Sequence, residues 1–373
     1  MPGINYTILI NNAPASAEVL DAVREIQVEN NSEMAGIFRL RLAIGMSDNG
    51  DWTIIEDDPF QPLTPVAIAI QVGTGLSEPV INGYVTSQQI LLSNEPGRSF
   101  LEIVGMDPTV LMNLEEKVAA WPNMSDNDIA AAIFEQYGFI PDTDRTQPVR
   151  QENDVTTIQR GSDIRFLRRL ADRNGFECYV ESDPNTNIIT GHFHASRLQG
   201  QTQDVLSVNF GRDTNVTSFN ARYEMLQPTT AQASDVEIGS KSVQNARIQT
   251  TSENKLGRDG TLERIQQQPI VLPSQHGLSN TDELQTLCQA AVDRSAWAIV
   301  AEGELDAAVY ENILRAGRTV NVRGAGNLFS GTYYVSKVLH NITGDSYSQR
   351  FELRKNAVGL TGTENFTNNR ALV

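Results

Sequence analysis

The sequence predicts an α+β chain that is mostly β, with two related β-barrel-like domains and an α+β domain inserted between them. Three observations point there. Apolar residues alternate with period two towards both ends of the chain, the period changes to about 3.6 after Pro108, and a hairpin in the first third is written again near the C-terminus. At roughly 100 to 200 residues per domain, a chain of 373 residues has room for two or three cores. The expected boundaries are 1–107 for the first β-barrel domain, 108–215 for the insert, 216–360 for the second β-barrel domain with long loops and one helix, and 361–373 for a polar tail.

From Asn5 to Asp107 the text is strand-like. "NYTILI" is closed by "NNAPAS", and "VREIQVEN" leads into "GIFRLRLAI", where Phe38, Leu40 and Leu42 face one way and Arg39 and Arg41 the other. "SDNGD" is a turn signal. In "PVAIAIQVG", Val66, Ile68, Ile70 and Val72 share a face, and the small residues opposite them imply close packing. After Pro108, Ser125 and Asp128 are spaced as a capping box and Gly138 as a left-handed stop, which predicts a helix over 126–137. Ser162 is placed to cap a second helix with a buried stripe of Ile164, Leu167, Leu170 and Ala171, stopped at Asn174-Gly175. A hairpin follows, "FECYVES" and "NIITGHFHA", turning through Asp183-Pro184-Asn185. From Met225 to Gly277 the chain is rich in Ser, Thr and Gln, which predicts long loops with short strands at "NARIQTT" and "GTLERIQ". Asn280 and Glu283 then open a third helix with a stripe of Leu284, Leu287, Cys288 and Ala291, and strand text resumes to Arg354.

The repeat sets "PVAIAIQVG" and "NGYVTSQQILLSNEPGRSFLEIV" beside "GRTVNVRGAG" and "SGTYYVSKVLHNITGDSYSQRFELR". Five features recur in order: a strand ending in Gly73 or Gly324, a link, Gly83 or Gly331 opening a long strand, a turn with Gly97 or Gly344, and a return strand with Glu102 or Glu352 between apolar residues. Two hairpins can look alike by composition alone, but shared order is harder to reach that way. Two modules per chain have a consequence for assembly: three chains around one axis would present six quasi-equivalent modules. Closure of each β-unit is left open, since hairpin text also suits an open sheet completed by a neighbour.

Charge and motifs exclude more than they name. With 29 basic against 46 acidic residues and a net charge of −17, nucleic acid and anionic membranes are disfavoured as partners. No apolar run approaches the roughly 20 residues of a membrane-spanning helix, and the N-terminus lacks the basic and apolar regions of a secretory leader, so synthesis and folding in the cytoplasm are expected. Cys178 and Cys288 stand 110 residues apart and read as core thiols without a disulfide. His192 and His194 in "HFH" share a strand face as two metal ligands must, yet no ligand-type spacing surrounds them or His276 and His340. The expectation is strand histidines, with no metal, cofactor or catalytic residues. "RGAGNLFSG" has turn glycines without the helix a phosphate loop needs. Trp297 and Tyr310 read as core or interface aromatics. Arg165, Arg168, Arg169 and Arg173 make a basic helix face, either solvated or set against an acidic surface of a neighbouring subunit.

Two segments carry a resemblance. "RGSDIRFLRRLADRNGFECYV", with Ser162, Asp163, Phe166, Leu167, Arg169, Leu170, Ala171, Gly175 and Tyr179, and "AGNLFSGTYYVSKVLHNITGDSYSQRFELRKNAVG" resemble the phage late control protein D and baseplate hub family, which includes the hub part of VgrG proteins and the hubs of contractile injection particles. Gly161 stands where family members commonly carry an acidic residue. The resemblance implies a homotrimer whose two tube domains per chain make a pseudo-six-fold ring, joining a hexameric inner tube to a spike, with tube or tube-initiator proteins, spike and baseplate components as partners. It implies assembly in the cytoplasm and incorporation into a virion or phage tail-like particle. No OB-fold or β-helical spike text follows the last strand. Two other functions compete: a tail-associated peptidoglycan or glycan hydrolase using Asp or Glu pairs, and a carbohydrate-binding β-module protein using Trp297 or Tyr310.

Overall fold

The computed structural model describes residues 4–46, 49–55, 58–95, 97–152, 156–183, 186, 188–236, 241–273, 281–344 and 346–367. Strands of four or more residues are numbered in chain order. The first segment comprises β1 (Ile4–Ile10), a short helix α1 (Ala17–Ala22), β2 (Val23–Asn31), β3 (Ile37–Ala43), β4 (Pro65–Val72), β5 (Glu78–Leu91) and β6 (Phe100–Met106). Ser16 caps α1 by accepting from the Val19 amide, a helix that the turn-like "NNAPAS" conceals. Alternation does what period two requires: Phe38, Leu40, Leu42, Val66, Ile68 and Ile70 are buried while Arg39 and Arg41 face out.

The middle segment has β7 (Lys117–Trp121), α2 (Asp126–Gln136), β8 (Ile140–Thr143), β9 (Thr157–Gly161), α3 (Asp163–Asn174), β10 (Glu177–Ser182) and β11 (Ile189–His194). The Ser125/Asp128 capping box forms as expected. Gly175 ends α3 at φ 70°. Ser162, by contrast, makes no cap bond and instead donates to Asn113 at 2.7 Å. The helices pack Ile129, Ile133, Phe134, Leu167 and Leu170 against Cys178 and Phe193. The hairpin turn residues Pro184 and Asn185 lie outside the described residues.

The last segment has β12 (Gln203–Ser207), β13 (Val216–Tyr223), β14 (Thr230–Val236), β15 (Val243–Ile248), α4 (Thr281–Ala296), β16 (Ile299–Asp306), β17 (Thr319–Arg323), β18 (Gly331–Thr343) and β19 (Ser346–Lys355). The expected strand at "GTLERIQ" is a two-residue bridge and a 3-10 turn. Asn280, the expected cap of α4, lies outside the described residues. Strands β14 and β15 pack Ala231, Ala233 and Ala246 on Leu284, Cys288 and Val292 of α4, a separate small core inside what reads as loop sequence. Both cysteines are buried free thiols.

The two β-units share a strand order. The first runs β1-β4-β5-β6-β3-β2 and the second β12-β17-β18-β19-β16-β13, and β2 pairs with β18 to join them in one thirteen-stranded sheet. Among the described residues the pairings form an open path, so neither unit closes on itself as a barrel. The outermost pair differs, β1 being antiparallel to β4 and β12 parallel to β17.

Candidate functional site

The two units agree down to their irregularities. The β5–β6 register slips by one residue between Val85 and Ser87, and the β18–β19 register between Val335 and Lys337. At both bulges a hydroxyl donates to the return strand, Thr86 Oγ1 to the Val104 carbonyl at 3.1 Å and Ser336 Oγ to the Glu352 carbonyl at 3.1 Å. A second slip follows Val23 in β2–β3 and Val216 in β13–β16. Beside the first bulge, Val85 exchanges backbone bonds with Leu63 and Thr64, and Val335 with Gly317 and Arg318. Leu63 and Gly317 both adopt positive φ, 61° and 77°. Leucine rarely takes that conformation, and its presence marks a turn the fold requires twice.

These equivalences pair Ser87 with Lys337 and Val216 with Val23. Within the chain, Lys337–Thr343 of β18 lies along Glu25–Asn31 of β2, with Ile342 opposite Ile26 and His340 opposite Val28. The joint is buried: His340 is 0 % exposed. Its Nε2 meets Asn30 Oδ1 at 3.1 Å and its Nδ1 the Tyr347 hydroxyl at 2.8 Å. Burial lowers the His340 pKa to about 3, so the ring is neutral. Arg315 adds bonds to the Pro79 carbonyl and the Glu78 carboxylate at 2.7 Å.

The equivalent edges on β5 and β13 are unused among the described residues. Beyond its bulge β5 pairs only with β6, and β13 pairs only with β16. Gln88 and Ile90 lie opposite the buried Ile103 and Leu101, so Ile90 points to the core face of the sheet, and Leu92 follows just past the end of the strand. Yet Ile90 is 45 % and Leu92 52 % exposed. On β13 the face carrying Phe219, Ala221 and Tyr223 is half-buried. Two complementary apolar strand edges therefore stand open in one sheet, that of the terminal strand β13 and that of the part of β5 which β4 does not cover.

Other residues singled out in the sequence fall elsewhere. Arg165 pairs with Glu116 at 3.2 Å, Arg169 donates to the Arg160 carbonyl, and Arg173 forks onto Asp126. On the same helix Arg168 buries Nε and Nη2 without a hydrogen-bond partner, at a cleft of about 670 Å³ between α3 and the second unit. That cleft also holds Glu177, raised to about 7 by burial, and Glu253, raised to about 8 by burial and then by Asp293 and Glu177. Glu177 is a structural tie: its carboxylate accepts the Tyr334 hydroxyl at 2.8 and 2.7 Å and that of Ser196 at 3.1 Å. Trp297 packs its ring against Tyr334, and Tyr310 is 2 % exposed with its hydroxyl on the Asp204 carbonyl. "RGAGNLFSG" contains one helical turn, Gly326–Phe329, before β18. His192 and His194 meet a third group, Asp142 of β8, that spacing did not indicate. His276 lies outside the described residues.

This is a phage tail protein fold. The 43 kDa tail protein of prophage MuSo2 from Shewanella oneidensis is similar over 95 % of this chain and 98 % of its own, at 15 % identity and a TM-score of 0.64. A tail protein from Neisseria meningitidis is similar at 12 % identity over 96 % of this chain and 98 % of its own, with a TM-score of 0.64. An E. coli component of the type VI secretion system, described as structurally similar to the T4 tail proteins gp27 and gp5, is similar at 12 % identity over 94 % of this chain and 78 % of its own, with a TM-score of 0.56. The chain belongs to the Alg8 N-terminal domain family, whose model matches residues 3–344. No curated protein matches it.

Proposed function

We propose that the chain is a structural, non-catalytic baseplate hub of a contractile tail or injection machine, three copies of which form a pseudo-six-fold ring between the inner tube and the spike. One observation carries the reading: each of the two edges that make the joint between the units has an unpaired counterpart, on β5 and on β13. Repeating the β2–β18 contact between chains lays β13 of one copy along β5 of the next. In that register Phe219 faces Leu92, Ala221 faces Ile90 and Tyr223 faces Gln88. The contact is heterologous, and such contacts form rings when the rotation closes. Residues 1–107 and 216–360 are then the two tube domains, 108–215 the inserted domain and 361–373 a tail. The partners on this reading are further copies of the chain, tube or tube-initiator proteins, a spike and baseplate components, assembled in the cytoplasm and carried in a virion or tail-like particle. The phage tail fold supports it, as does the resemblance of the segments at Ser162–Tyr179 and Ala325–Gly359 to hub proteins. Light scattering and class-averaged images of the protein with its tube and spike partners test it. A three-fold ring between tube and spike is expected, and a protein that stays monomeric with those partners present overturns it.

A further inference from the structure

The inserted segment holds a cluster that a ring contact does not use. Strands β10, β11 and β8 form a three-stranded sheet in which β8 is held to β11 by a parallel pairing of four residues, Ile140–Thr143 against Thr190–Phe193. Asp142 and His192 are partners across that pairing, and His194 follows two residues on, on the same face. The three facing atoms form a small triangle. His192 Nδ1 is 3.0 Å from Asp142 Oδ2 and 3.2 Å from His194 Nε2, and His194 Nε2 is 3.6 Å from Asp142 Oδ2. A tetrahedral centre with bonds of about 2.0–2.2 Å spaces its ligand atoms about 3.3–3.6 Å apart. The triangle is close to one face of such a tetrahedron as it stands.

The far sides of these groups keep their near sides turned inward. His194 Nδ1–H donates to the Ala195 carbonyl at 2.8 Å, which leaves Nε2 with its lone pair towards the other two atoms. His192 Nε2 faces the Glu181 carboxylate at 3.9 Å, and Tyr179 stacks on the ring at 4.5 Å. Arg197 takes the other oxygen of Asp142, Oδ1, at 3.5 Å. The side chains of His192 and His194 are 13 % and 1 % exposed against 44 % for Asp142, so the open corner lies beside the carboxylate.

We propose that Asp142, His192 and His194 bind one first-row divalent cation of the zinc type, with water at the fourth position. Two imidazoles and one carboxylate suit zinc and not magnesium or calcium, which take oxygen ligands. The ion takes the inward atoms of all three groups, with the His192 N–H turned to Nε2 on the Glu181 side, and it cross-links the four-residue β8 to the hairpin strand β11. The inference does not depend on the ring.

The test is isothermal titration of the chelator-stripped full chain with zinc and, in parallel, with magnesium. Saturable binding of one zinc per chain, and no response to magnesium, is expected. Loss of supporting groups around a metal already costs about 10–100-fold in affinity, so loss of a ligand in His194→Ala is expected to cost about 100-fold or more. Asp142→Asn keeps the side-chain shape and guards against misfolding, with circular dichroism confirming the fold. Absence of saturable zinc binding overturns the proposal, as does unchanged affinity in folded Asp142→Asn and in the double variant His192→Ala/His194→Ala.

Discussion

The proposed ring contact makes a demand on two side chains that a free edge does not. Ile90, on the core face, and Leu92, just past the strand end, are 45 % and 52 % exposed, so a neighbour's β13 would bury about half of each. Fully burying such a side chain contributes about 1.5–3 kcal/mol, so the two supply on the order of 2 kcal/mol per contact. The double variant Ile90→Asp/Leu92→Asp loses that and leaves two carboxylates against Phe219 and Ala221, at a further cost of several kcal/mol. Affinity per contact should fall about 1,000-fold or more. Sedimentation velocity across a concentration series should show wild-type trimer and variant monomer. Leu91→Asp, 53 % exposed but on the opposite face, is the control and should remain trimeric. Because the contact is head-to-tail, Phe219→Asp should also give monomers through the other edge. Mixing the two kinds of monomer should give a 1:1 dimer and no larger species, since only one sound contact can form. A trimeric Ile90→Asp/Leu92→Asp, or homodimers of either variant, would refute the reasoning.

Three further outcomes follow from the buried groups. Burial holds His340 near 3 against an ordinary 6.5, so its contribution to stability is present above pH 6.5 and is lost as pH falls towards 3. This amounts to several kcal/mol. Urea unfolding of His340→Gln should show lower stability at neutral pH and a shallower loss on acidification. Glu253 is the opposite case, raised from 4.5 to about 8. Its contribution is full below pH 4.5 and is lost as pH rises through 8, so the stability of Glu253→Gln relative to the parent should grow over that interval. At Gly191 in β11 an added Cβ runs into the Phe134 ring. Gly191→Ala should therefore cost about 1–3 kcal/mol by overpacking, read as a lower melting temperature.

What could be read from the sequence was local, and what could not was relational. The capping box of Ser125 and Asp128 lies within four residues and is found as expected. The order of the repeated hairpin also holds, but its markers do not superpose. With Val85 matched to Val335, Gly331 corresponds to Ile81 and Gly83 to Tyr333, while Glu102 corresponds to Arg350. These strand markers are each two residues from equivalence, and a shift of two keeps every side chain on its face, so alternation cannot reveal it. The bulges that set the true register carry Thr86 and Ser336, which composition does not distinguish from any strand hydroxyl. The core under α4 was hidden for another reason. Its strand residues Ala231, Ala233 and Ala246 are too small to raise an apolar signal in a Ser- and Gln-rich stretch. Asp142 reaches His192 only through parallel pairing across 50 residues.

The joint within the chain and the proposed joint between chains differ at equivalent positions, and connectivity explains the difference. Where the chain meets itself, His340 stands with both ring nitrogens bonded, and Arg315 reaches across to Glu78. A buried polar network of this kind repays its desolvation only if every partner is in place. Two units on one chain meet at high effective concentration and do not depend on this joint alone for association. At the free edge the position of His340 is taken by Ile90 and that of Ile342 by Leu92. Apolar contact is non-directional and tolerates an imperfect first encounter, as the proposed association of subunits from solution would require. Substituting Ile90→His should therefore weaken the contact between chains, read as a higher dissociation constant in sedimentation equilibrium. Asn30 and Tyr347, which satisfy the imidazole within the chain, correspond at the proposed joint to Tyr223 and Ser99. The Ser99 hydroxyl is already bonded to the backbone of Ser93, so a histidine at position 90 would be buried without the paired groups that make His340 tolerable.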